Sequence, residues 1–129
     1  MDIEIVGGGP GGAYAALLLK KARPEGDVPV HERNPADETY GWGIVLPERS
    51  YPTLRDADEP TWRALVDRQT TWDPIDTYHD GSRVRCDGFP YTSLMRTDLL
   101  EILYDRGRDL GVDFNFEVNI EDPVELAEE

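Results

Sequence analysis

Asp2-Ile3-Glu4-Ile5-Val6-Gly7-Gly8-Gly9-Pro10-Gly11-Gly12 is the stretch that decides the fold. Its first five residues alternate polar and apolar, the period of a half-buried strand. The glycine run then opens an apolar helical stretch. Gly7, Gly9 and Gly12 fit G-x-G-x-x-G between a strand and a helix, the context in which that spacing carries meaning. Gly7 permits the tight turn, Gly9 lets backbone approach a pyrophosphate, and Gly12 lets the helix pack against the strand. The helix N-terminus offers unpaired N–H groups and a partial positive charge to the phosphates. A second strand, Asp27-Val28-Pro29-Val30-His31, ends in Glu32, 20 positions after Gly12. That is close to the roughly 20-residue spacing of an acid that accepts from a ribose hydroxyl. Ala16 follows Gly12 by four, which keeps the helix face toward the sheet small. A glycine-rich turn without a ligand would be an entropically costly way to reverse the chain. The stretch therefore reads as a dinucleotide site on a β-α-β unit.

Working outward, 129 residues correspond to one domain, large enough for a core but short for a complete two-domain enzyme. No apolar run approaches the roughly 20 residues of a membrane span. No cleavable leader precedes the first strand, so a cytoplasmic location is expected. The net charge of −14 argues against nucleic acid and anionic membranes as partners. Lys20 and Lys21 are the only lysines, beside eleven arginines. That balance suits either a source adapted to high salt or an ordinary acidic protein, and folding measured against salt separates the two. Cys86 is the single cysteine, so no internal disulfide forms, and it is expected to be a small buried hydrophobe. His31 and His79 lack metal-ligand spacing, and no metal site is expected.

Along the chain, residues 1–33 form the dinucleotide unit and 34–95 an excursion too long for a structureless loop. Asp58-Glu59-Pro60 starts a helix with Asp58 as N-cap, and Trp62, Leu65 and Val66 share one face of it. Ile75–His79 and Ser82–Cys86 flank an Asp80-Gly81 turn and read as a hairpin. Residues 96–120 hold a helix from about Thr97 to Leu110, stopped by Gly111, then an alternating strand Val112–Val118. Residues 121–129 read as an acidic linker. The fold class is α/β, a Rossmann-like β-α-β with an inserted helix and hairpin toward a substrate-facing region.

These residues together resemble a known family. The strand, Gly7 to Gly12, Glu32-Arg33-Asn34, Tyr40-Gly41-Trp42-Gly43-Ile44-Val45 and Arg96 heading a leucine-rich helix look like the N-terminal part of the FAD-dependent aromatic monooxygenases related to para-hydroxybenzoate hydroxylase. They are most similar to the branch acting on aromatic coenzyme A thioesters. The resemblance implies that Gly7, Gly9, Gly11 and Gly12 lie at the FAD pyrophosphate and that Glu32 accepts from its ribose. It also implies that Arg33 lies beside the adenine end and Arg96 reaches toward the phosphates and ribityl chain. Trp42 and Gly43 fall where that family brings chain near the isoalloxazine and substrate; a core aromatic is the other reading of Trp42.

In that family an Asp-Gly and then a Gly-Asp segment come after the strand matched by Val112–Val118; neither follows it in this sequence, so the parallel sheet is expected to be incomplete, with strand order 3-2-1. The first strand would then be an open edge. The implied activity of the complete enzyme is hydroxylation of a small aromatic substrate, free or as a coenzyme A thioester. It uses FAD, NADH or NADPH, and dioxygen. The missing C-terminal half, or a complementing subunit, is the expected partner. No side chain is assigned a catalytic role, because the flavin carries the reaction. Two alternatives stand beside this one. One is an NAD(P)-dependent dehydrogenase or reductase on the same fold; the other is a non-catalytic fragment acting as an interaction module.

Overall fold

The alternation at the head of the chain becomes the first strand of a parallel sheet. The computed structural model describes residues 3–126. Asp2, the start of the expected strand, and residues 127–129, the end of the expected linker, lie outside the described residues. In chain order the elements are β1 (Ile5–Val6), α1 (Pro10–Ala22), β2 (Pro29–Glu32), β3 (Gly43–Pro47), a 3-10 turn (Glu48–Ser50), α2 (Tyr51–Ala57), α3 (Glu59–Arg68), β4 (Thr70–Trp72), β5 (Ile75–His79), β6 (Ser82–Cys86), β7 (Tyr91–Met95), α4 (Arg96–Leu110), β8 (Asp113–Phe116) and α5 (Pro123–Leu126). They fall into two compact units, Met1–Gly41 with Thr97–Glu129, and Trp42–Arg96.

The first unit holds a parallel sheet in the order β1-β2-β8, the expected 3-2-1 arrangement. Ile5 pairs with Val30, and Val30 in turn with Phe114. Among the described residues β1 has a sheet neighbour on one side only. Ala13, Ala16 and Leu17 of α1 are fully buried. Ala16 joins Val28, Val30 and Val112 in a core flanked by Ile3, Ile5, Leu19 and Phe114. Small residues on the buried helix face allow this close approach, and the β-branched residues of the strands fill the space beneath. Lys20 is buried as well, and its Nζ donates to the Gly26 carbonyl at 2.7 Å, tying the end of α1 to the loop that returns to the sheet. Gly111, at φ +91, stops α4 as expected. The tail read as a linker forms the short α5 at Pro123–Leu126. Proline at the first helical position suits that start.

The second unit is built on an antiparallel sheet, β3-β7-β4. β3 and β7 run from Gly43 opposite Met95 to Pro47 opposite Tyr91. The hydroxyl of Tyr51 donates to Gln69 Oε1 and meets Thr92 Oγ1, joining α2, the end of α3 and β7. Neither this sheet nor α2 is anticipated by the sequence reading. The helix from Asp58 is as expected. Asp58 is fully buried, and its carboxylate accepts from the Thr61 backbone N–H at 3.2 Å and the Thr61 hydroxyl at 2.8 Å. Asp58→Ala is expected to lower stability by about 1–2 kcal/mol, read by urea denaturation.

The hairpin β5–β6 forms as predicted, with Asp80 and Gly81 both at positive φ in the turn. Every residue of β6 is exposed, Cys86 included, which corrects the expectation of a buried cysteine. A two-stranded ribbon has no second layer here to bury it. Asp76 accepts from Arg85 Nε at 2.8 Å and Arg85 Nη2 at 2.9 Å, and from Arg83 Nη2 at 2.8 Å. These bonds, Arg85's foremost, hold the Asp76 carboxyl down at about 2 against an ordinary 3.8. They also raise the Arg85 guanidinium. The folded value lies below the unfolded one, so the contribution of Asp76 is complete above the ordinary value and is lost as pH falls toward about 2. An NMR titration of the Asp76 carboxyl is expected to show this low midpoint, moving upward in high salt because the pair is exposed. Asp76→Asn is expected to remove the hairpin's dependence on pH in that window.

Candidate functional site

The glycine loop of the first unit leaves β1 and enters α1 with little room to spare. A Cβ on Gly12 would sit 1.9 Å from the Gly7 carbonyl oxygen, so no side chain fits there without moving backbone. Gly7 itself takes φ +102, and its N–H donates to the His31 carbonyl at 2.8 Å, extending the β1–β2 pairing into the turn. Gly9 is the N-cap of α1 and, having no side chain, brings no capping acceptor; Pro10 follows in the first turn. The helix thus presents its first N–H groups without a capping side chain, the arrangement that suits an anion. Beside Gly11 an added Cβ would meet nothing within 4 Å.

Glu32, at the end of β2, is bound to this loop. One carboxylate oxygen accepts from the Gly8 N–H at 2.7 Å. The other accepts from the Asn34 backbone N–H at 2.9 Å and from Asn34 Nδ2 at 2.7 Å. An ionised carboxylate offers about four acceptor sites, so these three bonds leave one for a ligand hydroxyl. The Gly8 carbonyl accepts from the Tyr104 hydroxyl at 2.8 Å. Gly8 is therefore held at both ends, by Glu32 from β2 and by Tyr104 from α4. A Cβ at Gly8 would come within 2.9 Å of the Glu32 Cβ, so this position of the motif is also restricted to glycine. Tyr104 is fixed in turn by edge contacts to Phe114 and Phe116, with ring centroids at 5.0 and 5.1 Å.

A cleft of about 250 Å³ opens at the ends of β1 and β2, lined by Val6, Gly7, His31, Glu32, Arg33 and the chain after β8. This is the carboxyl-end position where open α/β sheets take ligands. His31 Nε2 lies 2.6 Å from Oε2 of Glu4, the residue just before β1. Arg33 is exposed on the cleft rim. Gly7, Gly9, Gly11, Gly12, Glu32 and Arg33 are thus brought together in one unit. Arg96 is the first residue of α4 and belongs to the second unit, where its N–H donates to the Trp42 carbonyl at 3.4 Å. Trp42 is 91% exposed and so is not a core aromatic. Gly43 lies close to β7, since a Cβ there would come within 2.9 Å of the Leu94 carbonyl oxygen.

Glycine floor, uncapped helix start and strand-end carboxylate together fit the diphosphate and ribose of a dinucleotide. Three contributors went unread in the sequence: Gly8, Asn34 and Tyr104. Gly8 and Asn34 adjoin motif residues and were within reach. Tyr104 comes from 96 positions away from Gly8, and no local pattern announces it. Among the described residues no group of three or more His, Cys, Asp or Glu could hold a metal ion, and no helix is long and apolar enough to cross a membrane.

No family model matches the chain. It is 36% identical over 126 residues to a salicyloyl-CoA 5-hydroxylase from Streptomyces sp., a match covering 98% of this chain and 24% of that protein. It is 28% identical over 114 residues to a 3-hydroxy-4-methyl-anthranilyl-[aryl-carrier protein] 5-monooxygenase from Streptosporangium sibiricum, covering 88% of this chain and 32% of that protein. The chain therefore spans about a quarter to a third of these relatives. Among solved structures, 2-methyl-3-hydroxypyridine-5-carboxylic acid oxygenase superposes with a TM-score of 0.76 at 26% identity, over 90% of this chain and 31% of that one. CtdE, solved in complex with FAD and a substrate, shares the fold with a TM-score of 0.75 at 20% identity, over 95% of this chain and 31% of that one.

Proposed function

We propose that this chain, over the stretch it spans, is part of an FAD-dependent aromatic monooxygenase and forms the adenosine-diphosphate side of its FAD site. Gly7, Gly9, Gly11 and Gly12 with the start of α1 would hold the diphosphate, Glu32 the ribose, and Arg33 the adenine end. Arg96 is the further cation proposed for the phosphates and ribityl chain. Bound FAD supplies the redox chemistry, drawing on NADH or NADPH and dioxygen to hydroxylate an aromatic ring.

The residues of this chain bind and orient. The backbone N–H groups at the start of α1 meet negative charge without reorganising, because the loop is already set by packing. Glu32 fixes the ribose and the loop with one carboxylate, so occupancy by the nucleotide and the shape of its cradle are coupled. A guanidinium at Arg33 or Arg96 stays charged at any working pH and can fork onto phosphate oxygens. The substrate proposed is a small aromatic acid carried as a coenzyme A thioester, as the name of the Streptomyces relative states for that protein.

The observation that carries this reading is the contact of Gly12 with the Gly7 carbonyl, beside a carboxylate bonded to the same loop. Its test is a chimera in which this chain replaces the matching stretch of the Streptomyces salicyloyl-CoA 5-hydroxylase. The purified chimera is expected to retain FAD, seen in its visible absorption band, and to consume dioxygen with reduced nicotinamide. A folded chimera without flavin overturns the reading.

A further inference from the structure

Negative charge dominates this chain, with 27 acids against 13 bases, so an arginine has an acid within easy reach almost anywhere. Arg55, Arg63, Arg83, Arg85 and Arg108 each pair with a carboxylate. The side chains of Arg23, Arg33 and Arg49 make no hydrogen bond or ion pair with any described residue. Two of these three line cavities. Arg33 borders the cleft of the first unit. Arg49 borders a pocket of about 300 Å³ in the second unit, formed by Pro47–Arg49 and Gly88–Tyr91.

That second pocket has its own chemistry. Phe89 is 75% exposed on its rim, an aromatic face with little packed against it. The loop that carries it is fixed, since the Gly88 N–H donates to Asp73 Oδ2 at 3.0 Å. Tyr91, on the pocket wall, stacks on Trp72 with ring centroids at 6.2 Å. Glu48 is the single carboxylate among the lining residues. An exposed aromatic face on an anchored loop, beside a guanidinium without a described carboxylate partner, suits a heteroaromatic base that carries phosphate. The pocket lies at the Pro47–Tyr91 end of the β3–β7 pair, and Gly43–Met95 is the other end. Four residue steps along the strand separate them, about 14 Å. An extended pantetheine arm has the length to bridge such a span.

We propose that this pocket takes the phosphorylated adenosine end of a coenzyme A thioester, with Arg49 on a phosphate and Phe89 against the adenine. The acyl end then lies toward Trp42 and Gly43. The assignment rests on the monooxygenase reading above and deepens it by placing the carrier part of the substrate. Nothing in the dinucleotide cleft is used twice, since every residue invoked belongs to the second unit.

The test is calorimetric titration of the chain with coenzyme A, pantetheine, inorganic phosphate and NADPH. Saturable coenzyme A binding is expected, with pantetheine and phosphate at least about tenfold weaker. Arg49→Gln and Phe89→Ala are each expected to weaken coenzyme A about tenfold. Glu48→Gln removes a like charge from the phosphate and is expected to tighten binding. All three positions lie at the surface or rim, and circular dichroism checks that each variant is folded. Absence of coenzyme A binding, binding unchanged in a folded Arg49→Gln, or NADPH outcompeting coenzyme A overturns the proposal. Flavin retention by the chimera reports separately on the monooxygenase reading. A chimera that holds FAD while Arg49→Gln leaves coenzyme A affinity intact sinks the pocket alone.

Discussion

Gly12→Val is expected to abolish FAD retention and to lower stability by about 3 kcal/mol, the upper range for an overpacked site. The neighbour that a side chain would strike is the Gly7 carbonyl, at 1.9 Å from the smallest added carbon. A carbonyl in a turn cannot rotate aside as a long side chain would, and Gly7 is itself held to His31 across the sheet. Relief requires α1 to move off the strand, which opens the core around Ala16 and Val30. Urea denaturation reads the stability loss, and the flavin absorption of the chimera reads the binding loss. Gly11→Ala is the matched control. An added Cβ there meets nothing, so stability is expected to hold or rise by about 0.4–1 kcal/mol. Any loss of flavin in Gly11→Ala then comes from the ligand's need for space. Gly12→Val with unchanged stability and full flavin would remove the cradle as described.

Glu32→Ala carries the second large effect, an expected loss of about 2–3 kcal/mol together with a steep fall in flavin affinity. The carboxylate is shared by the N–H of Gly8 and two donors of Asn34. Truncation strands the Gly8 N–H in a partly buried turn, where an unsatisfied donor costs about 1–3 kcal/mol. Glu32→Gln is expected to be milder in stability, because one oxygen remains to accept, but its amide would confront the Gly8 N–H donor to donor. Denaturation of both variants, alongside flavin titration, distinguishes a carboxylate that merely props the loop from one that also meets the ribose. If Glu32→Ala destabilises the chain yet binds FAD as tightly as before, the ribose assignment fails and the structural role stands.

Local patterns carried the parts of this fold that depend on local physics. The β-α-β unit, the Asp58 cap, the Asp80-Gly81 hairpin and α4 each announce themselves within about 30 residues of continuous sequence or fewer, through alternation, a capping acid, a turn dipeptide or leucine spacing. The β3-β7-β4 sheet does not. Val45 in β3 pairs with Ser93 in β7, 48 positions on, and both strands are short and bounded by glycine or proline. Strands of that kind are specified by their partners rather than by their own sequence. The site divides along the same line. The glycines and Glu32 could be read from spacing, whereas Tyr104 reaches Gly8 through the tertiary fold alone. Cys86 is exposed despite its small apolar character, which leads to burial only where another layer exists to provide it. Arg49 gave no signal in the sequence at all; what marks it is the absence of a described carboxylate partner in a chain crowded with them.

The buried Lys20 has a practical consequence. The chain carries just two lysines, adjacent in sequence, and they differ in exposure: Lys21 lies at the surface, whereas Lys20 is enclosed, its amine bonded to the Gly26 carbonyl. An amine-acylating reagent should therefore modify Lys21 readily while sparing its neighbour for as long as α1 stays docked. Counting adducts on that one peptide by mass spectrometry turns the pair into an internal gauge, reporting in any buffer or cell extract what fraction of molecules keeps α1 seated on the sheet.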